Sequence, residues 1–187
     1  MELIQKVDLL FFHLINHTWN HPILDTFFLI ITKQQNWNLP LLIFIAYLLT
    51  WGGPTGRKIF LLLIPTIIFS DQISAHIFKP LVQRLRPCHP QHFIENGHFL
   101  LGHSVSYSFP SAHAANVFAL ATVISFKIPK WRYWFTSIAI LIALSRIYVG
   151  VHYPLDVLFG AALGSFCAVN MLFVEAVLTH LPKKRLR

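Results

Sequence analysis

Charge is what this 187-residue chain has least of. Asp, Glu, Lys and Arg together make up 12% of it, with 7 acidic residues against 15 basic ones. Apolar residues account for 55%, and the mean hydropathy of +0.58 is too high for an ordinary soluble domain. Cysteine is nearly absent: Cys88 falls in a loop and Cys167 inside an apolar run. That separation offers neither a disulfide framework nor a metal-ligand set. Internal repeats and low-complexity tracts are missing too. The first twenty residues lack the features of a secretory signal peptide, because Glu2, Lys6 and Asp8 interrupt the apolar run and no small-residue cleavage site follows. Apolar residues between Leu3 and Ile15 instead recur at helical spacing, which predicts an amphipathic helix lying on a membrane over residues 1–18.

What the chain does have is long apolar runs. A bilayer core of about 30 Å needs about 20 residues of helix. The clearest runs extend from Lys58 to Phe78, from Trp131 to Val149 and from Val157 to Leu178, with shorter ones from Asn38 to Trp51 and from Ser111 to Phe126. A weaker run from Ile23 to Ile31 is either a sixth span or an interfacial segment. The expected fold is therefore all-α, a single integral membrane domain over 1–187 with about six transmembrane helices. A small-residue face of Gly160, Ala161, Ala162, Gly164, Ser165 and Ala168 suits close helix packing.

The formal net charge of +8 does not read as a nucleic-acid surface, since no aromatic–basic interleaving is present. Outside the motifs below, the basic residues collect at Arg57-Lys58, at Lys127, Lys130 and Arg132, and at Lys183, Lys184, Arg185 and Arg187. These clusters fall at alternate helix ends, on one membrane face, which the positive-inside rule makes cytoplasmic. An even count of six spans would leave both termini on that side. Threading the chain outward from Arg57-Lys58 makes residues 80–109 an external loop over the opposite face.

Three short stretches meet on that opposite face. They are Lys79 to Pro87 with Arg84 and Arg86, then Pro110-Ser111-Ala112-His113, then Ser145-Arg146 with His152 and Asp156 further on. Fixed cations beside two histidines and a carboxylate suit phosphoryl-group handling: cations hold nonbridging oxygens, one imidazole attacks, the other supplies a proton, and the carboxylate orients the attacker. Pro110 and Pro154 suit first helical turns, which would point free backbone amides and the positive helix end at an anion. The loop histidines His89, His92, His98 and His103 show no tight zinc spacing and read as solvated side chains. Asp71 and Gln72, inside an apolar helix, read as bracing for the site.

The three spacings resemble the signature of the type 2 phosphatidic acid phosphatase superfamily, which includes bacterial acid phosphatases and vanadium haloperoxidases. The match is unbroken except that Ala112 stands where the family usually has glycine. If that glycine supplies a backbone N–H, alanine serves equally; if it supplies a left-handed φ, the geometry is strained. The resemblance implies that His152 is the nucleophile, Asp156 its orienting partner and His113 the general acid. It implies that Lys79, Arg86, Ser111, Ala112 and Arg146 bind the phosphoryl group, with no metal or cofactor. Ser145 and Arg84 are further candidates, the first equally a helix-packing serine and the second equally a surface residue.

The substrate implied is a lipid phosphate or diphosphate, with undecaprenyl diphosphate first. Lipid A 1-phosphate, phosphatidylglycerol phosphate and phosphotransfer to a lipid acceptor share the same site. The expected location is a bacterial inner membrane with the site facing the periplasm or cell exterior. Soluble haloperoxidases are disfavoured by the apolar body. A non-enzymatic lipid transporter or scaffold accounts for the helices but not for the clustered nucleophile, acid and phosphate clamp.

Overall fold

The computed structural model of the chain describes residues 2–92 and 94–180. The basic cluster from Lys183 to Arg187 lies outside them. Helices α1 (Glu2–His13), α2 (Pro22–Thr32), α3 (Gln35–Thr50) and α4 (Gly53–Gln72) come first. A π-helical stretch (Ile73–Phe78) carries α4 directly into the short α5 (Lys79–Val82). Then come α6 (Ala112–Lys127), α7 (Arg132–Tyr148) and α8 (Pro154–His180). The described residues contain no strand, as expected for the all-α class.

Local signals account for the helix starts. Pro22 opens α2 behind His21, whose Nδ1 accepts from the Ile23 amide. Ser111 caps α6, its Oγ accepting from the Ala114 amide at 3.4 Å. Pro110, expected inside the first turn of α6, stands one residue before that cap. Pro154 does open α8 and puts Asp156 in the first turn, where a carboxylate favours the helix dipole.

The centre of the bundle is α6, which packs against α8, α7 and α4. Small side chains allow the approach: Ala114, Ala115 and Ala119 are fully buried on α6. Opposite them are Gly160 and Gly164, where an added Cβ would lie 2.4 Å from the Ser111 carbonyl oxygen and 1.8 Å from that of Ala115. Gly160, Gly164 and Ala168 belong to the expected small-residue face, whereas Ala162 is exposed. Large apolar side chains such as Leu42, Ile43, Leu61, Trp134, Phe166 and Phe173 are turned outward. Two helical stretches, Gly53–Val82 and Pro154–Thr179, are long and apolar enough to cross a bilayer.

The bundle has two chemically distinct ends. At one, Trp131 packs on Phe44 and Tyr47 near the α3–α4 turn, and Lys127 pairs with Glu175. Arg57, Lys58, Lys130 and Arg132 belong to the same end and are exposed. The three motifs occupy the other.

The segment from Ile23 to Ile31 does not run between these ends. Near the start of α2, the His21 amide meets the Tyr148 hydroxyl; at its finish, the Thr32 hydroxyl accepts from Arg146 Nη1 at 2.6 Å. Both partners sit in the last turn of α7, so α2 lies across the motif end. At 1.5 Å per residue its 11 residues reach about 16 Å, about half a bilayer core. Among the described residues, α3, α4, α6, α7 and α8 are the helices that connect the two ends.

Helix α1 also lies at the motif end. It turns Asp8 and Phe12 inward against the start of α8 and leaves Leu3, Ile4, Leu10 and Phe11 exposed. Asn16, just beyond it, pins the long loop: its Nδ2 donates to the carbonyls of His98 and Tyr148, and its Oδ1 accepts from the His98 amide, each at 2.7 Å.

The α6–α8 crossing makes a direct prediction. Gly164→Ala must push the helices apart and is expected to cost about 1–3 kcal/mol, as overpacking does. Val169→Ala, at an exposed position on the same helix, should stay within about 0.5 kcal/mol. Thermal unfolding of the detergent-solubilised variants measures both.

Candidate active site

A cavity of about 500 Å³ opens at the motif end, and Lys79, Arg86, Ala112, His113, Arg146 and His152 all line it. The three stretches thus converge from separate helices on one space. Ser111 is fully buried just behind the lining; its amide donates to the Asp156 carbonyl at 2.9 Å, and its side chain is spent on the α6 cap.

The last turn of α7 places two of these residues. Gly150 has φ of +80°, a left-handed conformation that commonly ends a helix. The chain then folds back so that the His152 amide donates to the Arg146 carbonyl at 3.2 Å. This closes the five-residue interval between the motif arginine and histidine into one compact turn. Arg146 is held by Thr32, and its buried Nε has no partner among the described residues. Arg86 is anchored by the carbonyls of Ser106 (3.1 Å) and Val151 (3.3 Å), which leaves other guanidinium donors for a ligand. The π-helical stretch ahead of Lys79 is a feature often found at functional sites.

Ala112 is not among the described residues with positive φ; it is the first residue of α6 in ordinary right-handed geometry. Of the two roles weighed for the usual glycine, only the backbone N–H fits this position. Alanine supplies it without strain.

His152 is 2% exposed and sits just ahead of α8. Its Nδ1 lies 3.5 Å from Asp156 Oδ2, long for a hydrogen bond and short enough for a strong electrostatic contact. Asp156 Oδ2 also accepts from the Tyr153 amide at 2.9 Å, as a third-position acid does in a capping box. Burial pushes the His152 pKa down to about 4; Asp156 pulls upward, and Arg86 and Arg146 add to the lowering. The imidazole is neutral at physiological pH, the state a nucleophile requires.

Two further candidates fall elsewhere. Ser145 is buried and donates to the Ile142 carbonyl at 2.6 Å, a helix-internal bond away from the cavity. Arg84 does not line the cavity; it bonds Asp156 Oδ1 at 2.8 Å and Asp8 Oδ2 at 2.5 Å. Burial works against its charge, but Asp156 and Asp8 outweigh that and raise its pKa.

Asp71 does line the cavity and accepts from Asn116 Nδ2 at 3.4 Å. Asp8, Thr32 and Asn116 escaped sequence reasoning. Only Asp8 carried a signal, as a carboxylate within the apolar stretch from Leu3 to Ile15.

Among the described residues, no group of three or more His, Cys, Asp or Glu is arranged to hold a metal. The loop histidines have other uses. His98 pairs with Asp25 at 3.0 Å, His103 Nδ1 lies 3.1 Å from the Cys88 carbonyl, and His89 accepts from the Gln91 amide.

The family model of the PAP2 superfamily matches residues 60–180, which contain all three motifs. The chain belongs to this superfamily. A lipid A 4'-phosphatase of Porphyromonas gingivalis is 33% identical over 171 residues, covering 88% of this chain and 71% of the relative. The chain spans about half the length of other lipid A phosphatases that it matches. The putative undecaprenyl-diphosphatase YbjG of Escherichia coli is 29% identical across 99% of this chain and 91% of its own length. Among solved PAP2-type neighbours, the crystal structure of Aquifex aeolicus LpxE aligns with a TM-score of 0.71 and 27% identity, over 89% of this chain and 95% of that one.

The depressed pKa gives this PAP2 site a pH signature. Between pH 6.5 and about 4 the unfolded chain protonates His152 while the folded one does not, so stability falls as pH falls through that window. Nitrogen-15 NMR of histidine-labelled protein should find His152 neutral at pH 5. The stability difference between wild type and His152→Gln should shrink on acidification.

Proposed function

We propose that this chain is a membrane lipid phosphatase that removes a terminal phosphate at the outer face of a bacterial inner membrane. The observation that carries the reading is the convergence of six motif side chains on one cavity. That cavity adjoins a second, apolar one of about 430 Å³, with Gln34, Ile67, His113 and Asn116 lining both. Trp37, Leu41, Phe44, Leu120, Phe135 and Ile138 wall the apolar space. A phosphorylated headgroup fits the cationic half while its hydrocarbon continues into the apolar half and the bilayer.

In the reaction, Lys79, Arg86, Arg146 and the amides at the start of α6 hold the nonbridging oxygens. His152, with Nδ1–H toward Asp156, attacks phosphorus through the Nε2 lone pair. The bond from phosphorus to the leaving oxygen breaks, and His113, which enters the step as the imidazolium beside the bound phosphate anion, gives that oxygen its proton. His113 then takes a proton from water as the water attacks the phosphohistidine. Phosphate leaves and neutral His152 returns. The fixed cations supply the positive field that a metal provides in other phosphoryl transfers.

Undecaprenyl diphosphate is the substrate we favour, supported by the end-to-end likeness to the E. coli relative. Lipid A phosphate is the second reading, supported by the higher identity to the P. gingivalis relative. Helices α1 and α2 then lie in the outer interface, the other five long helices cross the membrane, and the loop over 80–109 covers the site.

Phosphate release in detergent from undecaprenyl diphosphate, lipid A and phosphatidylglycerol phosphate tests the assignment. His152→Ala should lower the rate by more than about a thousandfold, as loss of a nucleophile does. His113→Ala should cost about 10²–10⁴-fold on lipid substrates and far less on an aryl phosphate, whose leaving oxygen needs little protonation. Equal losses on both would remove His113 as the acid.

Orientation is tested by thiol labelling. In a Cys88→Ser background, Asn96→Cys should react with a membrane-impermeant reagent in intact cells, and Lys130→Cys only after the membrane is opened. The reverse pattern would place the site in the cytoplasm.

A further inference from the structure

Behind the cavity, away from any phosphate, two buried carboxylates face each other across one guanidinium. Asp8 and Asp156 side chains are both 0% exposed, and Arg84 bonds one with each terminal nitrogen. The flat face of Arg84 stacks on Tyr153 at 3.9 Å. Asp8 uses its other oxygen to accept from the Leu155 amide at 2.8 Å. That amide is one of the unpaired donors of the first turn of α8, and Pro154 before it has no N–H. A residue of the N-terminal helix thus caps the helix whose first turn holds the nucleophile's partner.

We propose that Asp8 and Arg84 are positioning residues for the phosphoryl transfer. Asp8 fixes Arg84, Arg84 fixes the Asp156 carboxylate, and Asp156 sets the tautomer and direction of His152. The proposal rests on His152 being the nucleophile.

Three physical points support it. The carboxylate that must orient His152 is 3.5 Å from Nδ1 and cannot hold its own direction by that contact alone. Its rotamer is set by the Tyr153 amide on one oxygen and by Arg84 on the other. Arg84, in turn, is held by Asp156 and by stacking on Tyr153, and a second anion on its other terminal nitrogen keeps it from swinging into the cavity toward phosphate. Asp8 is that anion, and the paired fork geometry is one that arginine provides and lysine does not.

Charge balance points the same way. Attack by neutral His152 leaves the imidazole positively charged while the new nitrogen–phosphorus bond exists. Two carboxylates and one guanidinium leave the cluster with one net negative charge beside it. Asp8 keeps Arg84 from cancelling the negative charge that this cation requires. Burial of such a triad is weak as a source of stability, since apolar residues often serve as well or better. Geometry and charge at His152 are what it supplies.

The tests separate positioning from simple support. Asp8→Asn retains size and an acceptor for the Leu155 amide but removes the charge. It should lower kcat on the order of 10–100-fold, the range seen for groups that orient catalytic ligands, with KM unchanged. Asp8→Glu should recover part of the loss, and Arg84→Lys should fall between wild type and Arg84→Ala.

Nitrogen-15 NMR provides a readout that needs no substrate. Wild-type His152 should be the Nδ1–H tautomer, and Asp8→Asn should shift population toward Nε2–H. Phe12→Leu is the control, because Phe12 is buried in the same helix and packs on Tyr153 but makes no ion pair or hydrogen bond with the triad. It should lower thermal stability and leave kcat and the tautomer alone.

An unchanged tautomer in both Asp8→Asn and Arg84→Lys would overturn the proposal. So would a kcat loss that Phe12→Leu reproduces at equal destabilisation. Full activity in His152→Ala would instead sink the phosphatase mechanism, whatever the tautomer does.

Discussion

The close crossing of α6 and α8 is the constraint on which the site depends. Glycine at 160 and 164 lets the backbone of α8 rest on the carbonyls of Ser111 and Ala115, and the Ser111 amide reaches the Asp156 carbonyl. Inside an apolar environment no hydrophobic force drives helices together, so dispersion contact between small residues has to do so. Because the contact sits at the N-terminal turns of both helices, it brings His113 and His152 to one cavity. It also turns the positive ends of two helix dipoles toward the same place.

That placement collects like charge. Lys79, Arg86 and Arg146 surround one space, and among the described residues Asp71 is the one acidic side chain lining it. Such repulsion costs stability until an anion enters, the trade expected where function overrides local consistency. The scaffold tethers both arginines from behind. Arg146 is held by Thr32 of α2 and Arg86 by two loop carbonyls. The negative charge is kept on the far side of His152, where Asp156, Arg84 and Asp8 form a closed set.

The two N-terminal helices thereby gain a function in the fold. They lie across the motif end, bracing the last turn of α7 and the first turn of α8. Asn16 and the His98–Asp25–Tyr148 contacts fasten the long loop to the same place. The end of the bundle that carries the three motifs is the one held by polar contacts. Among the described residues, the opposite end is held by aromatic packing around Trp131 and an ion pair between Lys127 and Glu175.

Much of this was legible in the chain alone. Apolar runs located six helices to within a few residues, because periodicity and proline signals are local. The motif spacings marked the cavity residues, since each interval is a property of one turn: Arg146 to His152 is one helix end, and His152 to Asp156 is one helix start.

What depended on tertiary structure is whatever involves a partner distant in sequence. The run from Ile23 to Ile31 has the composition of a short span, and only its contacts with Arg146 and Tyr148 reveal that it lies crosswise. Arg84 and Arg86 are chemically alike and two residues apart, so their separation into a partner of two carboxylates and a cavity-lining cation was invisible. The φ of residue 112 settled the alanine question. Asp8 gains meaning only when folding brings it to Leu155, 147 residues away. Local patterns determine which elements form; the direction of a charged side chain is set by the opposite charge that meets it, and that is decided in three dimensions.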